Sequence, residues 1–164
     1  MNKTERLTFI NKKTTNELNE LWMNCFAGKE NNEHMHSHIP NQFRVPSREA
    51  LFQFLTHNPN TWLIKQIAEQ DIIGFAVHGD FMLGMENNIG FNIGLNYTRQ
   101  GYASETLQEL IEVPKSKGLS ETFGHCLESN VGSILTMEKC GFQNLGRTGR
   151  QFNGVHELKF RIQL

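Results

Sequence analysis

The residues of this chain best suited to chemistry fall in three ordered blocks. The first is Thr98-Arg99-Gln100-Gly101-Tyr102-Ala103-Ser104-Glu105, the second Asn130-Val131-Gly132-Ser133, and the third Glu138-Lys139-Cys140-Gly141-Phe142. The first block lies between an apolar, strand-like run at 89–95 and a helix-like run that begins near Gly101. A strand, a short glycine loop and a helix start can together hold a pyrophosphate. The first-turn N–H groups have no intrahelical partner, and the helix dipole adds partial positive charge there. One glycine in such a turn is equally a plain strand-to-helix connection. Asn130 reads first as a helix N-cap, with amide capacity left over for a ligand at a cleft mouth. Ser133 sits in the first turn of the same helix. It is either solvent-facing or bonded to backbone, or a hydroxyl that can give a proton to a leaving thiolate.

Other residues invite a chemical reading and have a plainer one beside it. His34, His36 and His38 share the spacing of a metal triplet. They stand in a stretch rich in Asn and Ser with no cysteine beside it, so a solvated loop with no metal is the better reading. Cys126 could carry an acyl group, and a packing cysteine is the more ordinary role. Glu86, His78 and His125 are titratable side chains, and each reads more simply as an ordinary surface or sheet residue. Glu105 in the first helical turn complements the dipole and reads as structural.

The elements that must position these groups follow from periodicity and punctuation. Residues 6–10 form a first strand. Thr14, with Glu17 three positions on, marks a capping box and a helix with Leu18, Leu21, Trp22 and Cys25 on one face. Residues 28–46 read as one long polar loop. Ser47 opens a second helix that buries Leu51, Phe54 and Leu55. Residues 61–68 and 71–78 form a hairpin and 89–95 a further strand. A helix at 101–117 turns Ala103, Leu107, Leu110 and Ile111 inward, and Pro114 predicts a kink or an early end. A strand at 121–127 precedes a short helix at 131–140 with Val131, Ile134 and Leu135 inward. Gly141 fits the left-handed position after a helix, with Phe142 as the contact beyond it. Asn153-Gly154 joins two final strands, 142–152 and 156–164.

The 164 residues suit one domain spanning 1–164. Apolar residues at 38% and charged residues at 20% place the chain among folded proteins. A net charge of −1 gives no global basic field for nucleic acid. No apolar stretch approaches the roughly 20 residues of a membrane span. Three scattered cysteines without a CxxC pair, and no signal-like N-terminus, indicate a cytoplasmic protein.

Taken in order and at their separations, the three blocks resemble the GCN5-related N-acetyltransferase (GNAT) superfamily, most closely its ribosomal-protein-alanine acetyltransferase branch. That branch carries Gly-Tyr-Ala-Thr/Ser-Glu, matched by Gly101 to Glu105. It also carries Asn-x-x-Ser, matched by Asn130 and Ser133, and Glu-Lys-x-Gly-Phe, matched by Glu138 to Phe142. The likeness covers about 89–145. It implies a mixed α/β fold whose central, mostly antiparallel sheet is splayed at the cofactor site and flanked by helices. It further implies acetyl-CoA as cosubstrate, no metal, and direct transfer to a primary amine, either a protein N-terminus or a small molecule. Carried over, the backbone of Ile93, Gly94 and Leu95 bonds the pantetheine arm. Amides of Arg99, Gln100, Gly101, Tyr102, Ala103 and Ser104 take the pyrophosphate. Asn130 bonds the arm from the other side, and Ser133 is the general acid. Acceptor choice would rest on residues 28–46, including the histidines, Phe43 and Arg44, and on the final hairpin. Thr98 stands where the family pattern has Gln or Arg. Pyrophosphate binding should therefore rest on backbone amides more than on side chains. A homodimer is common in the superfamily, though no residue here fixes one. The rival from another class is an acyl-CoA-binding sensor or interaction module without catalysis.

Overall fold

A computed structural model describes residues 3–37, 39, 44, 46–79 and 87–164. His38, Phe43 and Glu86 lie outside the described residues. Seven strands form one sheet in the order β1-β2-β3-β4-β5-β7-β6. They are β1 Leu7–Ile10, β2 Thr61–Gln66, β3 Ile72–Gly79, β4 Asn88–Ile93, β5 Glu121–Leu127, β6 Gln143–Phe152 and β7 Val155–Gln163. Every neighbouring pair is antiparallel except β4 and β5. The helices are α1 Thr15–Leu21, α2 Lys29–His36, α3 Arg48–His57, α4 Tyr102–Ser116 and α5 Val131–Lys139. The expected mixed, mostly antiparallel architecture with flanking helices is the observed one.

Alternation along the strands sends side chains into two cores, one on each face of the sheet. Trp62 and Ile64 of β2 join Ile73, Leu107, Leu110, Met137 and Phe160 on the face covered by α4 and α5. Leu63 points the other way, to Leu18, Leu21, Cys25, Met35, Leu51 and Leu55 beneath α1 to α3. This two-sided burial explains why β2 and β3 read as nearly continuous apolar runs.

Local signals set most element ends. Thr14 and Glu17 form the capping box, and Ser47 accepts the Ala50 N–H at the start of α3. Gly141 has φ +89°, and the Phe142 N–H bonds the Met137 carbonyl at 3.0 Å while the Gly141 N–H bonds Glu138. That pattern closes α5 with a left-handed glycine and buries Phe142 behind it. Asn153 and Gly154 both have positive φ, as a two-residue hairpin turn requires.

Three expectations need correction. Residues 28–46 are not one loop: Lys29–His36 is helical. Its polar sequence hides the helix from periodicity, because only Met35 and His36 are buried. In α5 Met137 is buried and Ile134 packs partly buried against the same core as expected, whereas Val131 and Leu135 are each 60% exposed. The helix is rotated because Gly124 of β5 leaves room for the Met137 side chain; a Cβ there would lie 2.7 Å from its sulfur. Pro114 neither ends nor shortens α4, which continues to Ser116. The proline lies in the last turn, so only one intrahelical bond is lost, and its ring is buried.

Candidate active site

The sheet opens between β4 and β5. The two strands pair at one position, Asn88 with Phe123, where the Phe123 N–H bonds the Asn87 carbonyl at 3.1 Å. Beyond that point each strand keeps its outer partner, β3 on one side and β7 on the other. Alternation along β4 then leaves the peptide groups of Phe91 and Ile93 facing the opening. The Gly94 N–H instead bonds the Ile73 carbonyl at 2.8 Å, on the β3 side. Leu95 begins a single 3-10 turn that runs to Tyr97. Of the three backbone positions expected to bond a ligand arm, Ile93 is the one that faces the split.

His34 of α2 brings its Nε2 to 3.0 Å from the Ile93 carbonyl. His36 is buried among core groups, its ring 6.2 Å from that of Phe26. The two histidines thus serve different surroundings. Among the described residues no group of three or more His, Cys, Asp or Glu could hold a metal ion.

A cavity of about 420 Å³ occupies the opening, with Phe91, Asn92, His125, Cys126, Asn130 and Ser133 among its lining residues. Asn130 caps α5: its Oδ1 accepts the Ser133 N–H at 3.1 Å. The capping role expected from sequence is therefore real, and the Nδ2 amide remains for another partner. The Ser133 hydroxyl lines the same cavity, and no described residue bonds it. The structure brings Asn130 and Ser133 to one wall, opposite β4.

The first block lies just outside that cavity. Gly101 is the left-handed residue before α4 (φ +87°), and no side chain caps this helix. The first intrahelical bond runs from the Glu105 N–H to the Gly101 carbonyl at 3.1 Å. The amides of Tyr102, Ala103 and Ser104 therefore have no intrahelical acceptor. Arg99 also has positive φ (58°), so the loop turns twice before the helix.

Sequence reasoning missed Arg6. From the start of the chain it reaches this loop, its Nη1 donating to the Gln100 carbonyl at 2.9 Å and its Nε to Glu105 Oε2 at 2.7 Å. Its guanidinium also lies 4.6 Å from the centre of the Tyr102 ring. Thr4 bonds the other Glu105 oxygen. Glu105 is thus structural, as expected, and Arg6 neutralises a carboxylate that would otherwise repel an anion at this helix end. Only the folded sheet, which sets β1 two strands from β3, brings Arg6 here; no spacing in the sequence could signal it.

Cysteine chemistry is disfavoured at the opening. Burial, and then the Glu157 charge, push the Cys126 thiol up to about 12, so it stays protonated. Burial likewise pushes Cys25 to about 12.

A half-split sheet with an uncapped helix start beside the split is the architecture of an acyl-CoA-dependent transferase. The acetyltransferase (GNAT) domain pattern matches residues 8–143, and the chain belongs to this family of acetyltransferases, whose acetyl donor is acetyl-CoA. No curated protein sequence matches the chain. Among solved structures, a GNAT-family acetyltransferase from Bacillus anthracis superposes with a TM-score of 0.80 at 21% identity, covering 98% of this chain and 96% of that one. The microcin self-immunity acetyltransferase MccE, in complex with acetyl-CoA and AMP, gives 0.75 at 16% identity, covering 98% and 94%. RimL, a ribosomal alpha-N-protein acetyltransferase in complex with coenzyme A, gives 0.75 at 15%, covering 98% and 96%. Identities this low speak for the shared fold.

Proposed function

We propose that this acetyltransferase moves an acetyl group from acetyl-CoA to a primary amine, by direct attack in a ternary complex. The observation that carries the reading is the split between β4 and β5, with Asn130 and Ser133 on one wall and, on the other, the Phe91 peptide group and the Ile93 N–H of β4. The residues present suit the donor. Three uncapped amides at the start of α4 offer hydrogen bonds to a diphosphate, and the flanking carboxylate is already neutralised by Arg6. The thioester supplies an activated acetyl carbon. Phe91 orients the arm through its peptide group and Ile93 through its N–H, the Ile93 carbonyl being held by His34. Asn130 Nδ2 holds it from the β5 side. Ser133 gives its proton to the departing sulfur as the C–N bond forms and the C–S bond breaks, and the proton shed by the amine restores the Ser133 hydroxyl through solvent. The protonated Cys126 supports direct transfer over an acyl-cysteine route. Three free thiols support a reducing, cytoplasmic setting.

Millimolar acetyl-CoA should raise the melting temperature, and coenzyme A should appear when amines are supplied. Absence of any shift would sink the reading. A shift with no acetylation across a broad amine and peptide panel would favour the non-catalytic binding module instead.

Two variants separate support from structure. Asn130→Asp keeps the oxygen that caps α5 and removes the amide donor. It should leave melting nearly unchanged and weaken acetyl-CoA binding by about tenfold. Asn130→Ala should lose the cap as well, at about 1 kcal/mol. Arg6→Ala frees the Gln100 carbonyl and leaves Glu105 without its cation beside the helix start. It should raise the KM for acetyl-CoA by about tenfold with a smaller change in kcat. An unchanged KM would show that the loop holds its shape without Arg6.

A further inference from the structure

We propose that Glu157 and His125 form the polar end of the acceptor subsite, and that the acceptor is a primary amine carried on an apolar or aromatic body. The inference rests on the acetyltransferase reading above and names its second substrate.

The register of β5 with β7 sets Leu127 opposite Glu157 and His125 opposite Lys159. Directly paired and alternate residues share a face, so His125 and Glu157 are diagonal neighbours there. Both line the cavity that holds Ser133. Lys159 is drawn aside, its Nζ 3.9 Å from the centre of the Phe123 ring.

Glu157 is only 4% exposed. A buried carboxylate is costly unless hydrogen-bonded charge offsets it. Here the donors come from β6: Arg150 Nε at 2.7 Å, Arg150 Nη2 at 2.6 Å and Thr148 Oγ1 at 2.8 Å. All three go to Oε2, and no described residue bonds Oε1. A purely structural Arg–carboxylate pair gains most by using both oxygens in a fork. This one is anchored through a single oxygen and leaves the other able to accept from an amine N–H. His125 adds a second unpaired group, for its buried Nδ1 has no hydrogen-bond partner. Burial lowers its pKa to about 4, so the ring is neutral and adds no positive charge beside Glu157.

The remaining walls define the body that carries the amine. Phe54, Phe75, Val77 and Leu127 line the same cavity, and Glu157 is the sole acid among its described lining residues. Arg150 already offsets the Glu157 charge and Arg44 also lines the cavity, so a second positive charge on the substrate would find no described partner there. A polyamine is disfavoured on that ground; an arylalkylamine or an apolar peptide N-terminus fits.

The test supplies acetyl-CoA with 2-phenylethylamine, a tripeptide beginning with Phe, or spermidine, using the parent protein, Glu157→Gln and His125→Ala. The parent should use one or both apolar amines with kcat/KM at least about tenfold above spermidine. Glu157→Gln should raise the amine KM at least about tenfold while acetyl-CoA still raises the melting temperature. His125→Ala should raise the amine KM severalfold with the same retained shift. Preference for spermidine, no acetylation of any of the three despite an intact acetyl-CoA shift, or a parental amine KM in a folded Glu157→Gln would overturn the subsite. If Glu157→Gln does not fold, His125→Ala and the parent's preference decide by the same criteria. A parent that shows no acetyl-CoA shift overturns the transferase reading itself, and the subsite with it.

Discussion

Replacing Gly74 by alanine is expected to lower the melting temperature by about 10 °C or to abolish folding. Gly74 lies in β3, paired across from Ile93 of β4. A Cβ at this position would stand 2.0 Å from the Asn92 carbonyl oxygen and 3.2 Å from the Ile93 Cα. Both are backbone atoms, so no rotamer change relieves the clash. The strands would have to part, against the ladder that ends in the 2.8 Å bond from the Gly94 N–H to Ile73. Overpacking of a tight core costs about 1–3 kcal/mol when side chains can yield. A backbone collision should lie at the upper end or beyond, about 3–5 kcal/mol. For a chain of this size each kcal/mol shifts the melting temperature by about 2–4 °C. Circular dichroism against temperature checks it, and parental melting refutes it. If some protein folds, β4 must shift, and with it the Ile93 peptide group at the split. A misplacement of about 1 Å can cost about a hundredfold in rate. Acetyltransferase activity should then fall further than the folded fraction does.

Ser133→Ala should lower kcat by about a hundredfold and leave the protein otherwise intact. The α5 cap uses the Ser133 N–H, which alanine retains, and no described residue bonds the hydroxyl. Folding therefore loses no contact to a described residue, and the acetyl-CoA-induced rise in melting temperature should persist. What is lost is the proton donor for the departing thiolate, an effect of about 10²–10⁴-fold for a placed general acid. The decrease should appear in kcat and in kcat/KM alike, because the interaction belongs to the transition state. A parental kcat would assign that proton to water and leave Ser133 as a lining residue.

The three chemical blocks were legible because each also marks an element boundary. Gly101 precedes α4, Asn130 caps α5, and Gly141 with Phe142 closes it. Such signals depend on a few adjacent residues and survive without tertiary context. The helix at 29–36 was not legible. It has no apolar stripe, and it is held largely by Met35 in the core and by the His34 contact to Ile93. The facing of α5 failed for a related reason. Val131, Ile134 and Leu135 make a good local stripe, but the inward face is chosen by the space that Gly124 leaves on another element.

By itself the amino-acid sequence determined the order of elements, most of their ends, the family resemblance and the two residues, Asn130 and Ser133, that reach the split. These follow from capping, turn chemistry and short motifs, all local in the chain. Tertiary structure alone decided what those residues face. β4 pairs with β5 at a single position, while each strand keeps a long antiparallel ladder on its far side. That opening turns the Ile93 N–H toward the split, whereas the Gly94 N–H is bonded to Ile73. The same folding brings Arg6 across 94 positions to the Gln100 carbonyl and places Glu157 diagonal to His125. Contacts between residues so distant in the chain come from strand order and register, which no local pattern of residue types encodes.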